Sequence, residues 1–122
     1  MAGFFVSPKL PRDQTVHVVL GSGAARVKEL QIRYFGPIPA EDVQKETDAS
    51  AASGYFAREA TFRYGQDVHA PRIVDHAPRL VDGDYVVEIS VATDLGHNTV
   101  QRRVHLSEGR ATSVDVVEAI AR

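Results

Sequence analysis

The sequence predicts an all-β domain, a sandwich of about seven antiparallel strands. Three observations predict it: short segments alternate apolar and polar residues, turn residues separate these segments, and no long stretch shows helical periodicity. The chain has 122 residues, the length of one ordinary domain. A small barrel is the alternative arrangement of the same strands.

The first two predicted strands cover residues 15–20 and 27–34, with a glycine-rich turn at 21–23 between them. In the second strand every other residue is polar or charged, which is typical of an antiparallel strand with one face in water. The residues expected to face the core are Val16, Val18, Leu20, Leu30, Ile32 and Tyr34.

A long loop is predicted at about residues 36–54, between the second and third strands. Prolines open this segment, small and acidic residues fill it, and a glycine closes it. A short helix over 40–46 would be polar on nearly all sides and therefore weak. Loops of this length are either functional or disordered, and both alternatives stay open.

Strand character returns at 56–64 and continues in four later segments. A short strand surrounds Ile73 and Val74, and the clearest alternation in the chain runs over 84–92. Turns at 94–97 and 107–110 separate strands at 99–106 and 112–116. Arg102 falls on the inward face of its strand, so it needs a partner or an edge position.

The predicted organisation is an extended lead-in over 1–14, one sandwich domain over 15–117 and a tail over 118–122 that is either a helical turn or frayed. Immunoglobulin-like and transthyretin-like sandwiches both accommodate this series of strands.

The segment 80–116 resembles bacterial and extracellular sandwich modules of the carboxypeptidase-regulatory-like, PEGA-like and other prealbumin-like kinds. The matching stretches cover about a third of the chain: Leu80–Val91 (LVDGDYVVEISV), Val104–Gly109 and Val114–Val116. In this pattern Gly83 permits a tight turn into a strand, Tyr85 buries its ring at the sandwich corner while its hydroxyl bonds back to the chain, and Gly109 serves the final hairpin. The resemblance implies an envelope or surface interaction module and transfers no active-site residues.

A ligand-binding hypothesis concerns Arg33 and Arg63, which lie in two similar segments, 30–34 and 60–64. The simpler explanation of the similarity is that the two segments are neighbouring strands, each with the same alternation of inward and outward residue types. The alternative places the two arginines side by side on the solvent face, where like charges repel unless an anion compensates them. Tyr55 completes this candidate site for an anionic or carbohydrate ligand, although the lack of tryptophan weakens the carbohydrate case.

A metal-binding hypothesis concerns His69, Asp75 and His76, which a loop could bring together around zinc or another divalent ion. The five histidines of the chain include no pair with helical metal-motif spacing, so solvated or half-buried histidines are the simpler explanation. We expect no cofactor.

Catalytic motifs are missing from the sequence. It has no cysteine, no G-x-S-x-G nucleophile elbow, no phosphate-binding loop and no dinucleotide fingerprint. The Tyr-Arg-Gly-Ser signature of the transthyretin-like hydroxyisourate hydrolases is also missing. We therefore predict that the chain is not an enzyme.

Charge and hydropathy narrow the choice of partner. A formal net charge of −2 offers no basic excess for nucleic acid, and no apolar run is long enough to span a membrane. The sequence thus predicts a non-catalytic interaction or structural module of a bacterial envelope protein or lipoprotein, binding a protein partner in the periplasm or envelope, with the cytoplasm as the alternative. Met1-Ala2-Gly3 leaves room for a signal or lipid-anchor segment upstream in nature.

Overall fold

Two β-sheets face each other across one apolar core in the computed structural model, which describes residues 14–39, 55–65 and 67–120. The described strands are β1 (Thr15–Val19), β2 (Val27–Phe35), β3 (Phe56–Arg63), β4 (Ile73–His76), β5 (Gly83–Thr93), β6 (Gly96–Leu106) and β7 (Ala111–Asp115). A 3₁₀ segment (Gly21–Arg26) joins β1 to β2, and a one-turn helix α1 (Val117–Ile120) follows β7. The predicted all-β sandwich of about seven strands is confirmed.

The strand order is β4-β1-β7 in one sheet and β3-β2-β5-β6 in the other. Neighbours are antiparallel except β1 and β7, which run parallel. In the constant-type immunoglobulin fold the first two strands share a sheet. Here β1 and β2 lie in opposite sheets, so the strand order differs from that fold.

The core forms where the alternating apolar faces of the two sheets meet. Val16, Val18, Leu30, Ile32 and Tyr34 are fully buried, as the alternation predicts. The inward residues of β5 (Tyr85, Val87, Ile89 and Val91) are buried opposite them. Period-two burial of this kind fixes the strand register, because a slip of one residue would turn every apolar side chain into water.

The hairpin between β5 and β6 is tighter than predicted. The prediction of a four-residue turn at 94–97 is wrong, because Thr93 pairs with Gly96 and only Asp94 and Leu95 form the turn. The Thr93 hydroxyl accepts a hydrogen bond from the Leu95 N–H at 3.1 Å. This side-chain bond holds the short connection, and β6 therefore begins three residues earlier than the alternation suggests.

The turn at Gly109 does not close a hairpin, which corrects the expectation for this glycine. It carries the chain from β6 in the four-stranded sheet to β7 in the three-stranded sheet. Gly109 has φ +75°, and the Arg110 N–H donates to the Ser107 carbonyl at 3.1 Å. A local turn signal shows where the chain reverses, but not which strand it joins next.

Arg102 lies on β6, an edge strand, and points toward the open side of the sandwich. Its guanidinium meets the Glu118 carboxylate of α1 at 2.9 Å. The inward arginine thus has both an edge position and a partner.

The predicted lead-in ends in a buried side chain. Gln14 is 2% exposed, and its amide bonds both the carbonyl and the N–H of Leu80. The Gln14 side chain therefore gives the Leu80 backbone the two hydrogen bonds that a neighbouring strand would supply. The rest of the predicted lead-in, the segment 40–54 of the predicted loop, and residues 121–122 of the tail lie outside the described residues.

No helix in the described part of the chain is long and apolar enough to cross a membrane.

Candidate functional site

The outer face of the four-stranded sheet carries a row of alternating charges. Arg33 on β2 is opposite Glu59 on one side and Glu88 on the other. Its guanidinium lies 3.6 Å from the Glu59 carboxylate and 3.4 Å from that of Glu88. Two carboxylates therefore surround this arginine, and an incoming anion would have to displace them or be repelled.

Arg63 lies on the same face but not beside Arg33, so the expected side-by-side pair is wrong. The register places Arg63 opposite Glu29, and its Nε donates to that carboxylate at 3.0 Å. The similar segments 30–34 and 60–64 are adjacent antiparallel strands, and their matching ends therefore lie at opposite ends of the ladder. The positive charges of both arginines are therefore neutralised by glutamates of the same face.

Tyr55 contributes to a small apolar cluster on this outer face instead of an arginine site. It packs against Phe35, Ile38 and Val86, of which Phe35 and Ile38 are 6% exposed and Val86 is 1% exposed. Phe56 extends the cluster with an edge-to-face contact to Phe35, 5.7 Å between ring centroids, and is itself 53% exposed. Apolar residues on the water side of a sheet are unusual, since outward positions normally carry polar groups.

A shallow groove of about 250 Å³ adjoins this cluster at the β6 edge. Its floor includes Ile38 and Val86, and its rim carries Asp84, Arg103 and His105. His105 Nδ1 lies 3.0 Å from the Asp84 carboxylate, whereas no described carboxylate forms an ion pair with Arg103. The groove therefore combines an apolar floor with a cation that is free to meet a ligand.

His69, Asp75 and His76 are not brought together by the fold. Asp75 and His76 are consecutive on β4, and consecutive side chains of a strand point to opposite faces. Asp75 meets His17 on the outer face, His76 turns inward to Tyr34, and His69 is exposed on the connection before β4. Among the described residues, no group of three or more potential ligand side chains could hold a metal ion.

A histidine–tyrosine pair occupies the side of the sandwich where β4 faces β2 and β3. The His76 ring stacks on Tyr34 at 5.5 Å and meets Phe62 edge-on at 6.0 Å. The Tyr34 hydroxyl lies 2.7 Å from His76 Nδ1. Burial lowers the pKa of His76, with a smaller contribution from the Arg58 cation, and burial raises the pKa of Tyr34.

The outer face of the three-stranded sheet aligns an aspartate, a histidine and a serine. His17 on β1 is the register partner of Asp75 on β4 and of Ser113 on β7, and its Nδ1 lies 2.5 Å from the Asp75 carboxylate. Acyl transfer also needs donors for an oxyanion and a shaped cavity. The face is an open ladder, and the described cavities are lined by other residues.

Gly83 and Tyr85 form a corner with Gly36. The Tyr85 hydroxyl donates to the Val81 carbonyl at 2.7 Å, and the ring is 1% exposed. A Cβ on Gly83 would lie 2.7 Å from the Cβ of Pro37, and one on Gly36 would lie 2.6 Å from the Tyr85 ring. The Ile38 N–H donates to the Asp84 carbonyl at 2.8 Å, which docks this segment beside the groove.

Sequence reasoning missed the residues that shape the groove, chiefly Ile38, Val86 and Arg103. A signal was present for Val86, because it is an apolar residue at an outward position of β5, between inward Tyr85 and Val87. Nothing in the local pattern distinguished Arg103 from other outward arginines, since its lack of an acidic neighbour depends on strand register.

Comparisons with family models, with curated proteins and with solved structures find no match for this chain.

Proposed function

We propose that this domain is a non-catalytic interaction module that binds a protein partner at the groove on the outer face of the four-stranded sheet. The observation that carries the proposal is the apolar cluster of Tyr55, Phe56, Phe35, Ile38 and Val86 on a face otherwise covered by ion pairs. An exposed aromatic ring next to a polar rim, as Phe56 is here, is typical of protein-binding surfaces.

The charges around the groove indicate the chemistry of the partner. At the rim, Arg103 forms no ion pair with a described carboxylate, since Asp84 pairs with His105, while Arg33 and Arg63 are paired within the domain. An apolar side chain of the partner would pack on Phe56, the exposed member of the cluster on β3, and a carboxylate elsewhere on the same segment would pair with Arg103 on β6. The favoured partner is therefore a polypeptide segment that carries an apolar residue and, a few residues along, an acidic one.

The proposal extends to the type of module and its location. Of the two sandwich types that fit the sequence, we favour the transthyretin-like one, because β1 and β2 lie in different sheets. The resemblance of 80–116 to prealbumin-like modules supports placement in a bacterial envelope protein or lipoprotein. Cell fractionation with an antibody against the native protein tests this placement, and recovery only in the cytosol would contradict it.

The partner chemistry can be tested with a displayed library of random 12-residue peptides selected on the wild-type domain. We expect enriched peptides to contain an aromatic or aliphatic residue with aspartate or glutamate a few residues away. Phe56→Ser and Arg103→Glu should each weaken their binding by about tenfold or more, the effect of losing a central contact.

Leu95→Ser is the matched control, because Leu95 is 68% exposed at the hairpin between β5 and β6 and lies outside the groove. This variant should bind the selected peptides as the wild type does. Peptides that bind Phe56→Ser and Arg103→Glu with unchanged affinity would place the binding surface elsewhere and overturn the proposal.

A further inference from the structure

A second cationic position lies on the opposite side of the four-stranded sheet, at the open flank between β3 and β4. Arg58 on β3 is the register partner of Tyr34, which places it on the inward face of an edge strand. His76 on β4 packs against Tyr34 and Phe62 from the other sheet. The flank thus brings a guanidinium and an imidazole to the same opening, although they are far apart in sequence.

The hydrogen bond to Tyr34 fixes which nitrogen of His76 carries the proton. Tyr34 is fully buried, and its hydroxyl has no other hydrogen-bond partner among the described residues. A buried O–H needs an acceptor, so the hydroxyl donates to Nδ1. Neutral His76 consequently carries its hydrogen on Nε2, which becomes a donor directed away from Tyr34.

The charges around His76 leave this donor without an acidic partner. Arg58 faces it from β3 and contributes to its lowered pKa, Tyr34 and Phe62 face it from β2 and β3, and Val16 is its register partner on β1. Asp75 and His17 pair with each other on the far face of β4. No described carboxylate forms an ion pair with Arg58 or His76, in contrast to Arg33, Arg63 and Arg102.

We propose that Arg58 and the Nε2–H of His76 form a binding site for a small oxyanion group, a phosphate or a carboxylate, at the open flank between β3 and β4. The guanidinium supplies charge and parallel donors, and the imidazole supplies a donor of fixed direction. The aromatic rings of Tyr34 and Phe62 hold the imidazole in place. The site is separate from the outer-face groove and does not depend on the proposed partner.

Linkage gives this site a distinct pH dependence. An anion beside His76 stabilises the imidazolium, so its binding raises the pKa of His76 and is itself stronger in acid. An inward arginine that only protects an edge strand from pairing would have no such effect.

NMR titration of the histidine side chains tests the site in three solutions of equal ionic strength. They contain sodium phosphate, sodium acetate or, as the control without an oxyanion, sodium chloride. We expect the pKa of His76 to be higher in phosphate or in acetate than in chloride. A shift in phosphate alone identifies a phosphoryl ligand, and a shift in both identifies a general oxyanion site.

Arg58→Gln should weaken the apparent affinity for the anion by about tenfold, the usual effect of losing one charge-assisted contact. Arg63→Gln is the matched control, since Arg63 is on the same strand but pairs with Glu29 on the outer face. Equal titration of His76 in all three buffers, or an anion-dependent shift that persists in Arg58→Gln, would overturn the proposal.

Discussion

At the scale of single residues, the corner around Gly36, Gly83 and Tyr85 can form only because the two glycines have no Cβ atom. Gly83 has φ +155°, and Pro37 occupies the space that a side chain would need. The corner matters because it holds Ile38 against Asp84, at the floor of the groove. Its geometry therefore links a backbone requirement to the candidate binding surface.

We expect Gly83→Ala to lower the free energy of unfolding by about 2 kcal/mol or more, because the new Cβ would combine backbone strain with a clash. Gly65→Ala is the control, since nothing lies within 4 Å of a Cβ built there. Urea denaturation of both variants provides the measurement. Equal stability of Gly83→Ala and Gly65→Ala would show that the corner relaxes without cost.

The roles of Gly83 and Tyr85 show what residue patterns can and cannot predict. A glycine followed two residues later by a buried tyrosine predicts a strand that begins at a tight corner, and the Tyr85 hydroxyl does bond back to Val81. The contact of Gly83 with Pro37 was not predictable, because the partner comes from a segment 46 positions earlier in the sequence. The proximity of Arg58 to His76 was missed for the same reason, because these residues meet only when the two sheets pack.

At the scale of elements, the edge strands of the described structure carry features that discourage pairing with other chains. β6 has the inward Arg102, β3 has the inward Arg58, and β4 and β7 have four and five residues. Inward charges and short strands are common protections of sheet edges. Since β6 is eleven residues long, its protection depends most on a single side chain.

We expect Arg102→Val to increase self-association, because it would make the inward face of the β6 edge continuously apolar from Val100 to Val104. Folding stability should change by less than about 1 kcal/mol, since the lost ion pair with Glu118 is largely exposed. Sedimentation velocity over a range of protein concentrations measures the association. Gln101→Val, on the outward face of the same strand, is the control, and equal association of the two variants would contradict this role for Arg102.

Strand positions were predictable because each strand has one buried face and one wet face, and alternation reports that difference directly. Strand partners were not predictable in this way. The pair β1 and β7 joins Thr15 to Ala111, near opposite ends of the described chain, and no local pattern encodes such a distant neighbour. The outer-face cluster was also missed, although the sequence places an apolar residue, Val86, among the polar outward positions of β5.

At the scale of the whole molecule, buried titratable groups limit the pH range of stability from both sides. Burial, and the nearby Asp82 charge, raise the pKa of Tyr85 to about 12, and burial also raises the pKa of Tyr34. The native state then holds more protons than the unfolded state above pH 10, the ordinary tyrosine pKa. The stabilisation that these two tyrosines contribute is therefore fully present below that pH and is lost as the pH rises toward 12.

His76 acts in the opposite direction. Its pKa is lowered below the ordinary value of 6.5, mainly by burial and secondly by Arg58. The unfolded state consequently binds more protons in acid, and stability falls as the pH drops below 6.5 toward the native pKa of the group. The free energy of unfolding should thus form a plateau around neutral pH.

Urea denaturation between pH 5 and pH 11 tests this profile in the wild type, in Tyr85→Phe and in His76→Gln. We expect Tyr85→Phe to lower the plateau by about 1 kcal/mol, through the lost bond to Val81, and to flatten the alkaline fall. His76→Gln should flatten only the acid side. An alkaline slope unchanged in Tyr85→Phe would mean that other groups control stability there.

The parallel pairing of β1 and β7 has a mechanical consequence. The chain runs into one end of β1 and out of the opposite end of β7, so tension along the polypeptide slides these two strands past each other lengthwise. Their five register pairs then bear the load together instead of opening one after another, as they would in a hairpin pulled from its open end. When the domain is pulled from its two ends, the force passes through the three-stranded sheet, and the parallel β1–β7 pair resists extension because it is loaded in shear.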